Sequence, residues 1–374
     1  DTHQFEGRIE KSISKTSLIT LALLFAIIGI VYVSRVWVLQ VREGEAYTTK
    51  SEKNRLRNTL VFAERGIIYD RNNKELAWNV LGEDTNFSFR KYAETSGLGH
   101  VLGYVKYPSK DSYGFYYRPD FEGFDGIEKF YNDRLRGEHG LKIVEVNALG
   151  KIQSENIIKQ TKDGSAITLS IDADVQDKLY GKIKEVATDL GFVGGAGVIM
   201  DVQTGEILAS TSYPEYRSQV LTDGDNVELI KSYVNSKRRI FLNRISNGTY
   251  TPGSIVKIVM AMGVLNEGVI DPNKKILSTG SISLPNQYDE TKFSIFKDWK
   301  AHGWVDLRRA LAVSSNVYFY EVGGGYKDQK GIGIANIEKY AKMFGLGEKT
   351  GIDLPGEVSK PIPSPAWKAV NFPN

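Results

Sequence analysis

From Thr16 to Ser34 the chain carries no charged residue, and Leu, Ile, Ala, Val and Phe dominate the run between Lys15 and Arg35. A helix over that stretch can cross roughly 30 Å of hydrocarbon, and Tyr32 and Trp37 fall near its outer end, where interfacial aromatics sit. A cleaved signal peptide is the competing reading. The run is long for the apolar part of a signal and no small-x-small cleavage site follows it, so the pattern predicts a retained single-pass anchor over 16–38. Arg8, Lys11 and Lys15 precede the span and Arg35, Arg42, Lys50, Lys53 and Arg55 follow it, so flanking charge alone does not orient it.

After the anchor the pattern turns polar. Val41 to Leu60 has few apolar positions and suits a stalk. Arg65 to Ala77 predicts two short strands around an Asp/Asn-rich turn, Gly97 to Tyr107 another strand region, and Gly123 to Leu135 a helix closed by Gly137 and Gly140. Leu141 to Val146 alternates as a half-buried strand would. Together these predict an elongated β-rich module. A second domain begins near Asp163-Gly164, with a strand at Ala166–Ile171, a helix at Ala173–Leu190, and a hairpin of Gly197–Val202 and Glu206–Ser210 around Gln203-Thr204-Gly205. Thr222 to Arg239 reads as a charged loop or helix, and Trp304–Val313 as a short helix running into a second that starts at Val317. The order is that of an α+β protein.

Composition narrows the function classes. The 374 residues, 41% hydrophobic, can bury a large core and imply more than one domain. Net charge is +3, and no basic tract interleaved with aromatics is present, which argues against nucleic acid as a partner. Without cysteine there are no disulfides, thiolate metal sites or cysteine nucleophile. The four histidines, at 3, 100, 139 and 302, lack metal-like spacing and give a zinc site or histidine triad little support. A chain that starts at Asp1 and stops at Phe372-Pro373-Asn374 after a Pro-rich run reads as a trimmed piece.

Candidate chemistry centres on Tyr250-Thr251-Pro252-Gly253-Ser254-Ile255-Val256-Lys257, which opens the apolar run Ile258 to Leu265. The Pro-Gly break predicts that Ser254 sits on the first turn of a buried helix, with Lys257 one turn on and on the same face. A serine hydroxyl becomes a useful nucleophile when a neighbour takes its proton, and a lysine can do so if burial lowers its pKa. The helix N-terminus adds N–H groups that favour developing negative charge. Ser-x-x-Lys also occurs at Ser12/Lys15, Ser88/Lys91 and Ser294/Lys297, none of which opens an apolar helix after Pro-Gly. A helix-capping serine with a solvated lysine is the plainer alternative. Ser314-Ser315-Asn316 lies in a corner between two apolar helices, a polar element that packing alone does not need and that a capping turn would also explain.

Taken together, Ser254-x-x-Lys257 and Ser314-x-Asn316 resemble the penicilloyl-serine transferases. The wider pattern is similar to the class B penicillin-binding proteins: the anchor, Arg65-Gly-Ile-Ile-Tyr-Asp-Arg-Asn72, His100-Val-Leu-Gly-Tyr-Val105, Gly126-Ile-Glu128, Asp298-Trp299 with His302-Gly303, and Thr350-Gly-Ile-Asp-Leu-Pro-Gly-Glu357. Tyr318-Phe-Tyr320 and Ile362-Pro-Ser-Pro-Ala-Trp-Lys368 lean toward the elongation type. The resemblance implies a cytoplasmic segment at 1–15, the anchor at 16–38, a stalk and pedestal of dimerisation type at 39–162, and a partial transpeptidase domain with a β-lactamase-like α/β fold at 163–374. It also implies a serine D,D-transpeptidase outside the cytoplasmic membrane, acting on peptidoglycan stem peptides, acylated by β-lactams, without metal or organic cofactor, and partnered by a multi-span glycan polymerase. Ser254 would be the nucleophile, Lys257 its base, Ser314 a proton relay and Asn316 a substrate-amide donor, with the Ser254 N–H as half of an oxyanion hole.

Two departures stand out. The family's Lys-Thr/Ser-Gly strand motif should lie well downstream of Ser-x-Asn. Lys349-Thr350-Gly351 belongs instead to the Thr-Gly-Ile-Asp-Leu-Pro-Gly-Glu segment, so the strand and the other half of the oxyanion hole are expected beyond Asn374. The link from Trp78 to Gly99 is also short where relatives carry a larger lobe. Rival readings are a non-catalytic scaffold that activates a polymerase, and a β-lactam sensor or hydrolase.

Overall fold

The computed structural model describes residues 14–47, 56–82, 87–112, 116–146, 152–286 and 289–372. Most of the 1–15 segment, Ser12, the basic residues Arg8, Lys11, Lys50, Lys53 and Arg55, and Pro373-Asn374 lie outside the described residues. The rest divides into two compact units: Asp1–Glu64 with Leu81–Ser88 and Gly137–Gly164, and Arg65–Val80 with Phe89–Arg136 and Ser165–Asn374.

In the first unit the apolar run is a helix, Lys15–Trp37, continued by a π turn at Val38–Arg42. Ser14 caps it by accepting from Ser17 N at 3.1 Å, and Thr20 Oγ1 donates back to Thr16 O, so the Thr20 hydroxyl is satisfied within the helix. None of its residues is buried, and at 23 residues it is about 35 Å long. The expected stalk is shorter than its polarity suggests. Leu56–Val61 is a strand, paired antiparallel with Gly140–Val146, which pairs on its other side with Ile152–Lys159. Backbone hydrogen bonding to a partner some eighty residues away decides this, a contact that local composition cannot register.

The second unit holds two cores. One is built on a four-stranded sheet in the order Ile167–Thr168, Ile68–Tyr69, Glu75–Val80, Phe89–Tyr92, with the turn between its middle strands passing through Asn73 in the left-handed region at φ 61°. Ile68, Leu76, Leu102, Leu135, Ile171 and Leu354 pack in this core, so the Thr350–Glu357 segment is tied to the sheet. Three expectations fail locally. His100–Val105 begins as a helical turn, Gly99–Leu102, with every residue buried, and it stops at Gly103 (φ 74°), where a Cβ would collide with the Asp125 carbonyl. The helix after Gly126 breaks at Tyr131 into Gly126–Phe130 and Asn132–Leu135. Of Ala166–Ile171 only Ile167–Thr168 is strand.

Farther along, the expected helix, Ala173–Asp189, packs on the expected hairpin, Gly195–Met200 and Ile207–Tyr213; the helix Ser218–Asp223 ends as the charged stretch begins, and that stretch holds the helix Val227–Val234. Trp304 and Val305 are strand, not helix: Gly303–Val305 pairs with Ile276–Ser278, and Asp306 caps the helix Leu307–Ala312 by accepting from Arg309 N. The second core joins Ala261 and Val264 of the Ser254 helix to Ala310, Tyr318, Val322 and Tyr340 of three later helices. That packing fixes where the candidate site residues point.

Candidate active site

Pro252 and Gly253 break the chain before the Ser254 helix, and Gly253 takes φ 61°, which only glycine adopts freely. A 3-10 turn, Gly253–Ile255, follows and runs into the α-helix Val256–Asn266. Ser254 is exposed on that first turn, while Lys257 is 7% exposed. The helix is less buried than its apolar sequence suggests, because Ile258 and Met262 face outward.

Lys257 reaches across to the other motif. Its Nζ donates to Ser314 O at 2.7 Å, to Ser314 Oγ at 3.0 Å and to Asn316 Oδ1 at 2.6 Å. Three donors meet three neutral acceptors, which is the full complement of an ammonium group. Burial pulls the Lys257 pKa below its ordinary value, and the negative charge of Asp298 works against that pull. Lys257, Ser314 and Asn316 therefore form one cluster. Ser254 stands beside it on the same helix without a hydrogen bond to Lys257, because the lysine takes carbonyl and amide oxygens instead.

Local backbone geometry explains the corner. The helix Leu307–Ala312 ends with Ser314 N bonded to Leu311 O and Ser315 N to Ala310 O, the paired bonds of a Schellman turn. In that turn the residue in Ser314's place adopts a left-handed conformation, usually as glycine. Ser314 does so at φ 54°, a strain of about 1–2 kcal/mol for a residue with a Cβ. A serine held there at that cost puts its hydroxyl where Lys257 can use it. Ser315 then caps the next helix, Asn316–Gly324, by accepting from Tyr318 N. Asn316 Nδ2 makes one long contact, 3.5 Å, to Lys297 O.

The Asp298-Trp299 motif has a structural role that its sequence does not disclose. The Asp298 side chain is wholly buried and accepts from Ser315 Oγ, Val317 N and Trp299 N, each at 2.9 Å. The one sequence signal was a carboxylate placed next to an aromatic at the end of an alternating hairpin. Lys349-Thr350-Gly351 sits apart from this cluster. Thr350 N and Oγ1 and Gly351 N all bond the Glu357 carboxylate, closing that segment on itself. Among the described residues no group of three or more His, Asp or Glu side chains is placed to hold a metal ion.

The family model of the penicillin-binding protein transpeptidase domain matches residues 195–373, and that of the penicillin-binding protein dimerisation domain matches 85–169. With both matched in that order, the chain belongs to the class B penicillin-binding proteins, in their elongation-type branch. It is 32% identical to the peptidoglycan D,D-transpeptidase MrdA of Haemophilus influenzae over 75% of this chain and 42% of that protein. It is 27% identical to MrdA of Escherichia coli over 96% of this chain and 68% of that one. Among solved structures, penicillin-binding protein 2 in complex with MreC from Helicobacter pylori is similar with a TM-score of 0.67 and 25% identity, over 85% of this chain and 70% of that one. The chain thus spans about two-fifths of the Haemophilus relative's length.

Proposed function

We propose that this chain carries the nucleophile half of a peptidoglycan D,D-transpeptidase active site. The observation that supports it most is the binding of Lys257 Nζ to Ser314 and Asn316 beside an exposed Ser254 at a helix start. In this reading Lys257 first loses a proton, which burial favours. Its lone pair then takes the Ser254 hydroxyl proton as Oγ bonds the carbonyl carbon of the penultimate D-alanine of a stem peptide. The tetrahedral intermediate collapses with cleavage of the C–N bond, and the proton passes from Lys257 through the Ser314 hydroxyl to the departing D-alanine nitrogen. An amine of a second stem peptide attacks the ester by the reverse steps, forming the cross-link and releasing Ser254. Asn316 Nδ2, weakly engaged in the structure, donates to a substrate carbonyl. The Ser254 N–H donates to the oxyanion. A β-lactam carbonyl enters the same sequence and stops at the acyl-enzyme.

The exposed helix Lys15–Trp37 is read as the membrane anchor, with the catalytic unit on the extracytoplasmic face, the pedestal over 39–162 and the transpeptidase domain over 163–374. A multi-span glycan polymerase and an MreC-type protein are the proposed partners, the second because the Helicobacter relative is in complex with MreC. The test is acylation of the full-length protein by a labelled penicillin, with Ser254→Ala alongside. Labelling that disappears in Ser254→Ala supports the reading. A folded wild-type protein that stays unlabelled overturns it in favour of a non-catalytic scaffold.

A further inference from the structure

Asp298 takes no part in the steps just given, yet it is buried as a charge. Its side chain is 0% exposed, and its partners are hydrogen-bond donors without charge: Ser315 Oγ, Val317 N and Trp299 N at 2.9 Å, with Ser278 Oγ at 3.4 Å. His302 Nε2 lies 3.6 Å from its Oδ1, too long for a hydrogen bond, and is itself buried. The donors belong to both sides of the corner. Trp299 continues from the strand Asp289–Lys297, whereas Ser315 and Val317 flank Asn316.

We propose that Asp298 is the positioning residue of this site: it clamps the start of the Asn316 helix to the end of the Asp289–Lys297 strand, and so holds the left-handed Ser314 and the Asn316 amide against Lys257. This rests on the roles given to Ser254, Lys257, Ser314 and Asn316 above. The carboxylate supplies two separable things, a hydrogen-bond frame and a charge. Burial would raise the Asp298 pKa, but the donors from Val317, Asn316, Ser315 and Trp299 outweigh it and keep the group ionised. That charge helps Lys257 keep its proton. The groups facing the pair are few: the Phe319 ring, 5.8 Å from Lys257 Nζ, the neutral Ser314 and Asn316, and His302 on the Asp298 side.

The experiment measures labelled-penicillin acylation rates against pH in the full-length protein, Asp298→Asn and Ser315→Ala, with thermal melts of each. Asp298→Asn removes the charge and breaks part of the frame, because an NH2 group replaces one of the two accepting oxygens that hold Trp299 N on one side and Ser315 Oγ and Val317 N on the other. Its maximal rate is expected to fall by on the order of a hundredfold, the effect of a misplaced catalytic group, and its acid limb to move to lower pH because Lys257 sheds its proton more easily. Ser315→Ala weakens the frame and keeps the charge, so its rate falls while the acid limb stays put. A folded Asp298→Asn with wild-type rate and limb overturns the proposal. If Asp298→Asn does not fold, Ser315→Ala decides alone, and a wild-type rate there overturns it. Titration of Lys257 Nζ by NMR with isotope-labelled lysine, the signal assigned by its loss in Lys257→Gln, needs no reaction. A wild-type protein that cannot be labelled by penicillin sinks the transpeptidase reading, and the proposal then stands if Asp298→Asn lowers the lysine titration while Ser315→Ala leaves it in place, and falls if Asp298→Asn does not move it.

Discussion

Two clusters in the same unit bury a cation, and they treat it in opposite ways. At Glu128 the carboxylate receives Arg65 Nε at 2.6 Å and Arg90 Nε at 2.8 Å, with all three side chains at most 1% exposed. Burial alone would raise the Glu128 pKa, but the two guanidinium groups outweigh it and hold the carboxyl below its ordinary value. At Lys257 the acceptors are a carbonyl, a hydroxyl and an amide, and the lysine pKa falls. The nearby carboxylate, Asp298, is spent on backbone and serine donors. A cation paired with an anion keeps its charge fixed, whereas one held by neutral oxygens can change it. The first arrangement builds a core, and the second serves a base.

The largest effect is expected at Glu128. Glu128→Gln leaves two buried guanidinium groups without a counter-charge, and stability is expected to drop by about 3–5 kcal/mol. Urea unfolding monitored by fluorescence checks it. Lys257→Gln, which removes a cation that has no ion-pair partner, is expected to cost much less in the same assay while abolishing acylation. Equal losses in the two variants would mean that the neutral cluster is as structural as the ionic one.

A smaller effect tests the corner itself. Ser314→Gly relieves the left-handed strain but frees the unfolded backbone, so stability should change by no more than about 1 kcal/mol. Acylation should nevertheless fall, because Lys257 loses the hydroxyl it holds at 3.0 Å. A melt and a labelling time course on the same sample separate the two. Wild-type labelling in Ser314→Gly would reduce the serine to a turn residue.

These effects also mark what could be read from residue order. Ser254, Lys257, Ser314 and Asn316 were legible as candidates because each motif is local: four or fewer residues, a Pro-Gly break, a corner between apolar runs. Their meeting was not fully legible, since Lys257 bonds residues 57 and 59 positions away. Asp298 was legible as part of a motif but its role was not, for the same reason, as the N–H it accepts from Val317 is 19 positions on. Gly99–Leu102 and Trp304-Val305 were assigned the wrong element because short apolar runs suit either form. Tertiary partners, Ile276–Ser278 in the second case, made the choice.

The mildest effect is expected at a second carboxylate. Glu215 accepts from Gly97 N at 2.6 Å and Gly99 N at 2.8 Å, without an arginine, and burial pushes its pKa from 4.5 up to about 7. In that window the folded state binds more protons than the unfolded one, so the stability due to Glu215 is full below pH 4.5 and is lost as pH rises through about 7. His100 runs the other way. Buried against Ile240 O, its pKa drops from 6.5 to about 4, so its contribution grows as pH rises across that interval. In the wild type the two slopes oppose each other between 4.5 and 6.5. Glu215→Gln should leave the His100 slope exposed, so that the urea midpoint of the variant climbs with pH relative to wild type. Parallel midpoints would mean that Glu215 ionises as freely as a surface carboxylate, and that charge pairing is not what separates it from Glu128.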